Sequence, residues 1–448
     1  MKKNKIADIT SGITLLTWLY GYISIWKNHI VVSLCRYIAT ISLFAILSSC
    51  HLVTSLSAAI RIGTELETGG ISYTNPNHLE TSSLKNSYNY QKSRLYLEGD
   101  LKKNVTVGVK LLSRGIFGKE FGKEYTTAKS SVTFINCTPQ IENAFIKFSE
   151  INNLPVDFIV GRQPLKVGQG VIIDDDGLGF DAIRLKVRLP LDISTDAFII
   201  KRAELSGDNF TKDKDESLLA IGSNWFYKHN YNFSVYYFIE NSSLPLKKNF
   251  ISVRADGKFE EGVDYRAEVI QSGGDYSGIS YLIGATACSK LRRLGKTSVN
   301  FEYAVGTGKE NKLGFAPTYG HKTDGLERSG YGEYFGASMS DFYGGISSYK
   351  SDGQGVHTTT LGVDFEPCKD LNIGFDYYIL FSLDYPKLTG IESYFGEEVD
   401  MSVKYKYAEN CFFQLVYGRF SPLKIIKPQS ETAKIISNKL SWSITAKF

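Results

Sequence analysis

The sequence predicts an all-β protein, a transmembrane antiparallel β-barrel of about eighteen strands with short turns at one end and long external loops at the other. The composition is the first observation. The 448 residues include 28 Tyr, 27 Phe and 41 Gly but only 11 Pro and 3 Met, a mixture that favours strands and tight turns over helices. With 22% charged residues and a mean hydropathy of -0.15, the chain is too polar for a bundle of membrane helices.

A period of two in the hydrophobic pattern is the second observation. Residues 181–189 show it most clearly, because apolar and charged side chains alternate without a break, which indicates a strand with one apolar and one charged face. The same alternation recurs at 300–305, 371–379, 398–407 and 440–448. A soluble sandwich also alternates, so this pattern does not decide between the two by itself.

The lengths of the connections are the third observation. Short turns occupy every second connection, and the others are mostly longer and polar or rich in glycine, which is typical of outer-membrane barrels. A strand-like piece, Phe342 to Tyr349, is assigned to the loop 309–355 because counting it would spoil the even number. The eighteen predicted strands are 60–72, 93–102, 104–114, 142–151, 155–165, 180–190, 192–205, 217–228, 231–241, 249–257, 262–271, 277–288, 297–308, 356–366, 370–383, 397–408, 411–420 and 436–448.

Closure and the membrane surface follow from this pattern. A sheet can span a bilayer only as a barrel without edges, because no backbone group there can be left without a partner. Tyr and Phe near the strand ends suit the headgroup layers. The terminal Phe448, after alternating apolar positions, resembles the carboxy-terminal signature that bacterial outer-membrane proteins offer to their insertion machinery. Outer-membrane lipid and that machinery are therefore the predicted partners.

The amino terminus predicts Sec-type export to the bacterial outer membrane. Arg36 precedes an apolar core, and Ser57-Ala58-Ala59 provides the small residues that signal peptidase requires. The predicted organisation is an extension and signal peptide over 1–59 and a barrel over 60–448. The sequence Leu47-Ser48-Ser49-Cys50 leaves lipidation at Cys50 as an alternative, and retained membrane helices are another.

The charged face of the strands predicts a lumen with two differently charged walls. Basic residues cluster on neighbouring strands, and acidic residues lie on strands further round, an arrangement that concentrates ions and selects anions. The plainer alternative is that these charges pair within the wall, as Asp264, Arg266 and Glu268 would. The predicted pore-lining residues are Arg162, Lys166, Arg184, Lys186, Arg188, Arg202, Arg254, Arg266, Glu302, Asp364 and Asp376, with Asp400 and Lys201 beside them.

One pair of motifs resembles a known family. Gly161-Arg162-Gln163-Pro-Leu165-Lys-Val-Gly168 ends one strand, and Phe180-Asp-Ala-Ile-Arg-Leu185 begins the next. This pairing resembles the alginate-export family of bacterial outer-membrane porins. The resemblance implies an eighteen-stranded barrel that conducts anionic polyuronates through an arginine-lined pore. The chain departs from the family pattern in lacking a Trp between the two motifs and in carrying Asp174-Asp175-Asp176 in the loop.

Other chemistries have weaker support. The three acids Asp174, Asp175 and Asp176 could offer oxygen ligands to Ca²⁺, although such a run is more often a solvated turn, and no other cofactor is predicted. No nucleophilic triad surrounds His321 or His357, so an enzyme is not predicted. A net charge of +4 gives no argument for nucleic acid. The oligomeric state does not follow from the sequence.

The sequence therefore predicts a porin, a passive channel or exporter for a polar, anionic solute such as an oligosaccharide. The alternative is a barrel-displayed surface protein, an adhesin or receptor, whose long loops bind a partner.

Overall fold

The computed structural model describes most of the strands and part of the loops. The described residues are 59–74, 85–126, 133–175, 178–203, 216–227, 230–241, 247–259, 262–307, 315, 317, 331–333, 336, 355–382, 394–422 and 436–448. The predicted leader up to residue 58, with Cys50, and the strand-like piece Phe342 to Tyr349 lie outside them.

These residues form twenty-two strands and one short 3-10 helix, Ile151–Asn153. The strands are β1 Ala59–Thr74, β2 Lys85–Lys102, β3 Val105–Ile116, β4 Glu124–Thr126, β5 Thr133–Ile135, β6 Pro139–Phe148, β7 Val156–Gln163, β8 Lys166–Val167, β9 Ile173–Asp174, β10 Phe180–Leu189, β11 Ile193–Ala203, β12 Glu216–Tyr227, β13 Tyr231–Asn241, β14 Lys248–Phe259, β15 Val263–Gly274, β16 Ile279–Leu291, β17 Gly295–Thr307, β18 Gly355–Cys368, β19 Leu371–Ser382, β20 Tyr394–Ala408, β21 Cys411–Pro422 and β22 Ser437–Lys447.

Eighteen of the described strands form one closed antiparallel sheet. They are β1 to β3, β6, β7 and β10 to β22, and each pairs with the next along the chain. The last strand, β22, pairs with β1, so the sheet has no free edge. The terminal residue takes part in this closure, because Phe448 and Thr64 exchange both backbone hydrogen bonds, at 2.8 and 3.0 Å. The predicted fold class is confirmed, and every predicted strand falls on one of these eighteen.

The two faces of the wall follow the period of two. On β10, the apolar Ile183 is exposed, whereas the adjacent Arg184 turns to the opposite face and is partly covered. On β20, Val399 and Met401 are exposed while Asp400 between them is buried. Because the sheet is closed, the covered face lines the lumen and the exposed apolar face is the outside of the barrel.

Aromatic rings form a belt on the outer face near the short turns. Trp225 and Tyr227 lie 5.8 Å apart between ring centroids, and Tyr231 follows at 6.4 Å from Tyr227. Tyr265, on β15, lies 6.4 Å from Tyr231. This position at a strand end suits amphipathic rings in a headgroup layer. No helix within the described ranges is long and apolar enough to cross a membrane.

Candidate pore lining and constriction

Apolar side chains gather inside the half of the lumen nearest the long loops. Inward-facing side chains there are buried in a single cluster with residues from two connecting loops. The barrel contributes Phe198, Ile200, Leu218, Ala220, Tyr236, Phe238, Phe250, Ile270, Leu282, Ala304, Val356, Leu380 and Phe420. An open water-filled tube would leave these side chains wet, so their burial shows that the loops enter the lumen.

The first inserted segment, called the strap, comprises residues 164–175 between β7 and β10. Its Leu165, Val171, Ile172 and Ile173 are buried in the apolar cluster. At its far point, the backbone N–H of Gln169 donates to Oε2 of Glu268 at 3.0 Å. Glu268 belongs to β15, which is separated from β10 by four other strands. The strap therefore crosses part of the lumen and narrows it.

Local sequence explains how the strap turns back on itself. The short strands β8 and β9 pair, and Nζ of Lys166 binds Oδ2 of Asp174 at 2.6 Å. Gly168 and Gly170 lie between them, with φ of 60° and 83°. Residues with a Cβ adopt such positive φ values only with strain. A Cβ at Gly168 would also lie 2.5 Å from the Glu268 carboxylate. The two glycines thus permit both the turn and the close approach to the wall.

The second inserted segment belongs to the loop 309–355. Phe315 is fully buried and packs edge-on against Phe250 of β14, with ring centroids 5.9 Å apart. Tyr331 is buried, and its hydroxyl donates to Oε1 of Glu302 at 2.9 Å. Burial and this carboxylate raise the pKa of Tyr331 well above its ordinary value, so the hydroxyl stays a donor. The described part of this loop therefore lies inside the lumen.

Residues next to Tyr331 bind the wall on the side of β20 and β22. The backbone N–H of Glu333 donates to Oδ2 of Asp400 at 2.8 Å. Nζ of Lys439, on β22, donates to the carbonyl oxygen and to Oε2 of Glu333, both at 3.1 Å. The strap and the loop 309–355 thus meet neighbouring strands at β14 and β15, and the loop also contacts β17, β20 and β22.

The basic residues of β10 face the lumen as predicted, and two of them are paired. Arg184 binds Asp196 of β11 through Nε and Nη2. Arg188 binds Asp157 of β7 at 3.1 Å, and Lys147 lies 3.7 Å from the same carboxylate. Lys186 lies on the same face between the two arginines. The plainer alternative, pairing within the wall, therefore holds for Arg184 and Arg188.

Two further predicted basic residues also form ion pairs. Nε of Arg254 lies 3.0 Å from Oδ1 of Asp256 on its own strand. Arg266 of β15 reaches Glu302 of β17 at 2.6 Å, across the intervening β16. Gly284 makes this reach possible, because a Cβ there would lie 2.8 Å from the guanidinium of Arg266.

The predicted acidic residues form the lining of β17 to β20. Asp376 of β19 lies directly opposite Asp400 of β20, and Oδ2 of Asp364 lies 3.5 Å from the hydroxyl of Ser298. Together with Glu302 and Glu333, these carboxylates make this wall acidic.

Three of the predicted pore-lining residues are not seen on the inner face of the barrel wall. Arg162 lies on the outer face near the loop end, since it shares the parity of exposed Val160 and pairs with Asp181 at 3.1 Å. The prediction of a lumen position for Arg162 is wrong because it followed the charge of the motif rather than the period of the strand. Lys166 lies in the strap, not in the barrel wall. Arg202 lies in β11, and its side chain is outside the described part of the structure.

The candidate calcium ligands have other contacts. Asp174 binds Lys166, and Oδ2 of Asp175 accepts the backbone N–H of Gly179 at 3.0 Å. Asp176 lies outside the described residues. No group of three or more His, Cys, Asp or Glu within the described ranges is arranged to hold a metal ion.

Sequence reasoning did not name Asp196 and Asp157, and it named Glu268 only as a partner of Arg266, which instead binds Glu302. Alternation places Asp196 and Asp157 on the inner face, so that signal was available. Glu268 follows the same pattern, but its contact with the strap depends on a loop path that no period predicts.

The sequence matches no family model and no curated protein, whereas the fold matches solved structures. OccAB4 of Acinetobacter baumannii and OccK8 (OprE) of Pseudomonas aeruginosa both give a TM-score of 0.55, at 11% and 12% identity, covering 87% of this chain and 98% of theirs. OccAB1 of Acinetobacter baumannii gives 0.54 at 12% identity, covering 87% of this chain and 96% of its own.

These structural neighbours are outer-membrane porins. At such low identity the likeness shows the fold alone, a closed antiparallel barrel of eighteen strands. Membership of the alginate-export family, which the motif pair suggests, is not shown by this likeness; that family is a related kind of porin.

Proposed function

We propose that the chain is a bacterial outer-membrane porin that passes a polar, anionic solute by diffusion, after Sec-type export. The observation that carries this proposal is the closed barrel itself, apolar outside and lined by charged side chains inside. A closed sheet with an apolar exterior satisfies every backbone group in lipid. The porin neighbours, which are channels and not enzymes, support the same class of function.

The orientation of three ion pairs in the wall supports an anionic solute, whereas the Arg254–Asp256 pair has the reverse orientation, at 19% against 27%. In three pairs of the wall the basic partner is the more exposed: Arg184 at 21% against 3% for Asp196, Arg188 at 46% against 6% for Asp157, and Arg266 at 25% against 15% for Glu302. The carboxylates thus lie behind the guanidinium groups, which meet the water first. A solute carboxylate would find hydrogen-bond donors there without displacing the wall carboxylates.

The solute class that fits is an anionic oligosaccharide, including a polyuronate. The strap and the inserted part of the loop 309–355 narrow the lumen, so the solute passes as an extended chain or a small molecule.

Ion selectivity tests the proposal. Arg184, Lys186 and Arg188 changed together to Gln should shift the cation-to-anion permeability ratio toward cations by a few-fold, on the order of what a charge ring in a pore contributes. Reversal potentials across a planar bilayer under a salt gradient measure this ratio.

The matched control removes three positive charges from exposed short turns between strands, by Arg292→Gln, Arg293→Gln and Lys369→Gln. This control should keep the selectivity of the unmodified protein. An unchanged ratio in the lumen variant, with normal conductance, would show that the paired arginines are structural and that the solute need not be anionic.

A further inference from the structure

We propose that Glu268 is a positioning residue that pins the strap against β15 and thereby sets the size limit of the channel. This inference rests on the proposed function, because a size limit has meaning only for a barrel that passes solute.

The contact is a pair of hydrogen bonds to one buried carboxylate. Glu268 is 2% exposed. Its Oε2 accepts the backbone N–H of Gln169 at 3.0 Å, and its Oε1 accepts the hydroxyl of Ser252, on β14, at 2.8 Å. One oxygen is thus held by the wall and the other by the strap.

The energetics make this contact a strong one. A buried carboxylate without donors is costly, and charge-assisted hydrogen bonds are about twice as strong as neutral ones. The strap supplies one of the two donors, and in return its backbone N–H is satisfied inside the barrel. Loss of Glu268 leaves the Gln169 N–H without this acceptor, and loss of the strap contact leaves Glu268 with the Ser252 hydroxyl.

The strap has room for no side chain at the position that faces Glu268. Gly168, next to Gln169, has a positive φ, and a Cβ there would lie 2.5 Å from Oε1 of Glu268. The chain therefore carries a glycine at the point where the strap meets the carboxylate, as close backbone approach requires.

The position of the anchor explains its effect on pore size. The root of the strap is fixed at β7 and β10, where Nε of Arg162 binds the carbonyl of Leu178 at 3.1 Å. Gln169 is the point at which the strap contacts β15, with four strands between β15 and β10. Release at Glu268 frees the tip of the strap while its root stays attached, so the lumen widens and the barrel remains closed.

Glu268→Ala removes both acceptors and tests the proposal. The variant should show single-channel conductance raised about twofold, as a wider lumen implies, and should admit larger neutral oligosaccharides in liposome-swelling assays. Glu268→Gln keeps an amide oxygen that can accept the Gln169 N–H, so it should restore the original size limit. Asp256→Asn is the matched control, since this carboxylate lies on the same wall and binds Arg254 rather than the strap.

A second variant reaches the same contact from the strap. Gly168→Val leaves Glu268 intact but pushes the strap away from it, and should raise the size limit as Glu268→Ala does. If Glu268→Ala does not insert, the Gly168→Val result decides.

The outcomes separate the two proposals. If the unmodified protein and both variants conduct with the same size limit, Glu268 does not position the strap, while the porin function stands. If Glu268→Gln behaves like Glu268→Ala, the hydrogen bond to the strap is not what matters, and the inference is overturned. If the unmodified protein inserts but admits no solute, the proposed function itself fails.

Discussion

Leu185→Arg is expected to abolish stable insertion of the barrel, whereas Lys186→Leu inserts normally. Leu185 and Lys186 are neighbours on β10 but lie on opposite faces, because Arg184 and Lys186 line the lumen and Leu185 shares the face of exposed Ile183. An arginine at the outer face would meet lipid, at a cost of about 2–4 kcal/mol near the bilayer midplane. The lumen substitution only removes a charge from water.

Folding into lipid vesicles, followed by the heat-dependent shift in gel mobility that distinguishes folded from unfolded barrels, measures this difference. Equal insertion of the two variants would mean that the register of β10, and with it the placement of Arg184 and Arg188, is wrong.

Arg94→Leu is expected to lower the free energy of unfolding by about 3–5 kcal/mol, the range for removing one partner of a buried ion pair. Arg94 of β2 binds Glu65 of β1 at 2.6 Å and Glu142 of β6 at 3.2 Å. The side chain of Glu142 is fully buried and keeps only Lys110, at 3.1 Å, when Arg94 is lost. The change therefore leaves the buried Glu142 with one cation fewer, while Glu65 keeps Lys447 at 3.2 Å.

Arg61→Ala is the control for this prediction. Arg61 also binds two carboxylates, Glu98 and Asp100, but its side chain is 65% exposed, and exposed pairs contribute about 0–1 kcal/mol. Urea unfolding in lipid vesicles compares the two variants. A similar small loss for both would show that water reaches the Arg94 network freely, and that this part of the lumen is open rather than packed.

The strand plan of this fold is predictable from the sequence because a membrane barrel repeats one simple rule. Each strand must alternate, as in residues 181–189, and short turns must fall at every second connection. The strand number and the lumen position of Arg184, Arg266, Glu302 and Asp376 follow from that rule alone.

The pairing of those residues is not predictable in the same way. Arg266 reaches Glu302 across a strand because Gly284 lies between them, so the partner depends on the stagger of three strands and on one absent side chain. Arg162 shows the opposite error, since a charged motif suggested the lumen while the strand period put it outside. The strap contact of Gln169 with Glu268 joins residues 99 positions apart, and no local pattern encodes it.

Single-channel recording in a planar bilayer tests the central claim most directly. The purified, refolded protein should produce discrete conductance steps with a linear current–voltage relation. Each step should be smaller than an unobstructed barrel of this strand number would give, because the strap and the loop containing Phe315 and Tyr331 occupy part of the lumen. Folded protein that inserts into the bilayer but passes no ions would contradict the account.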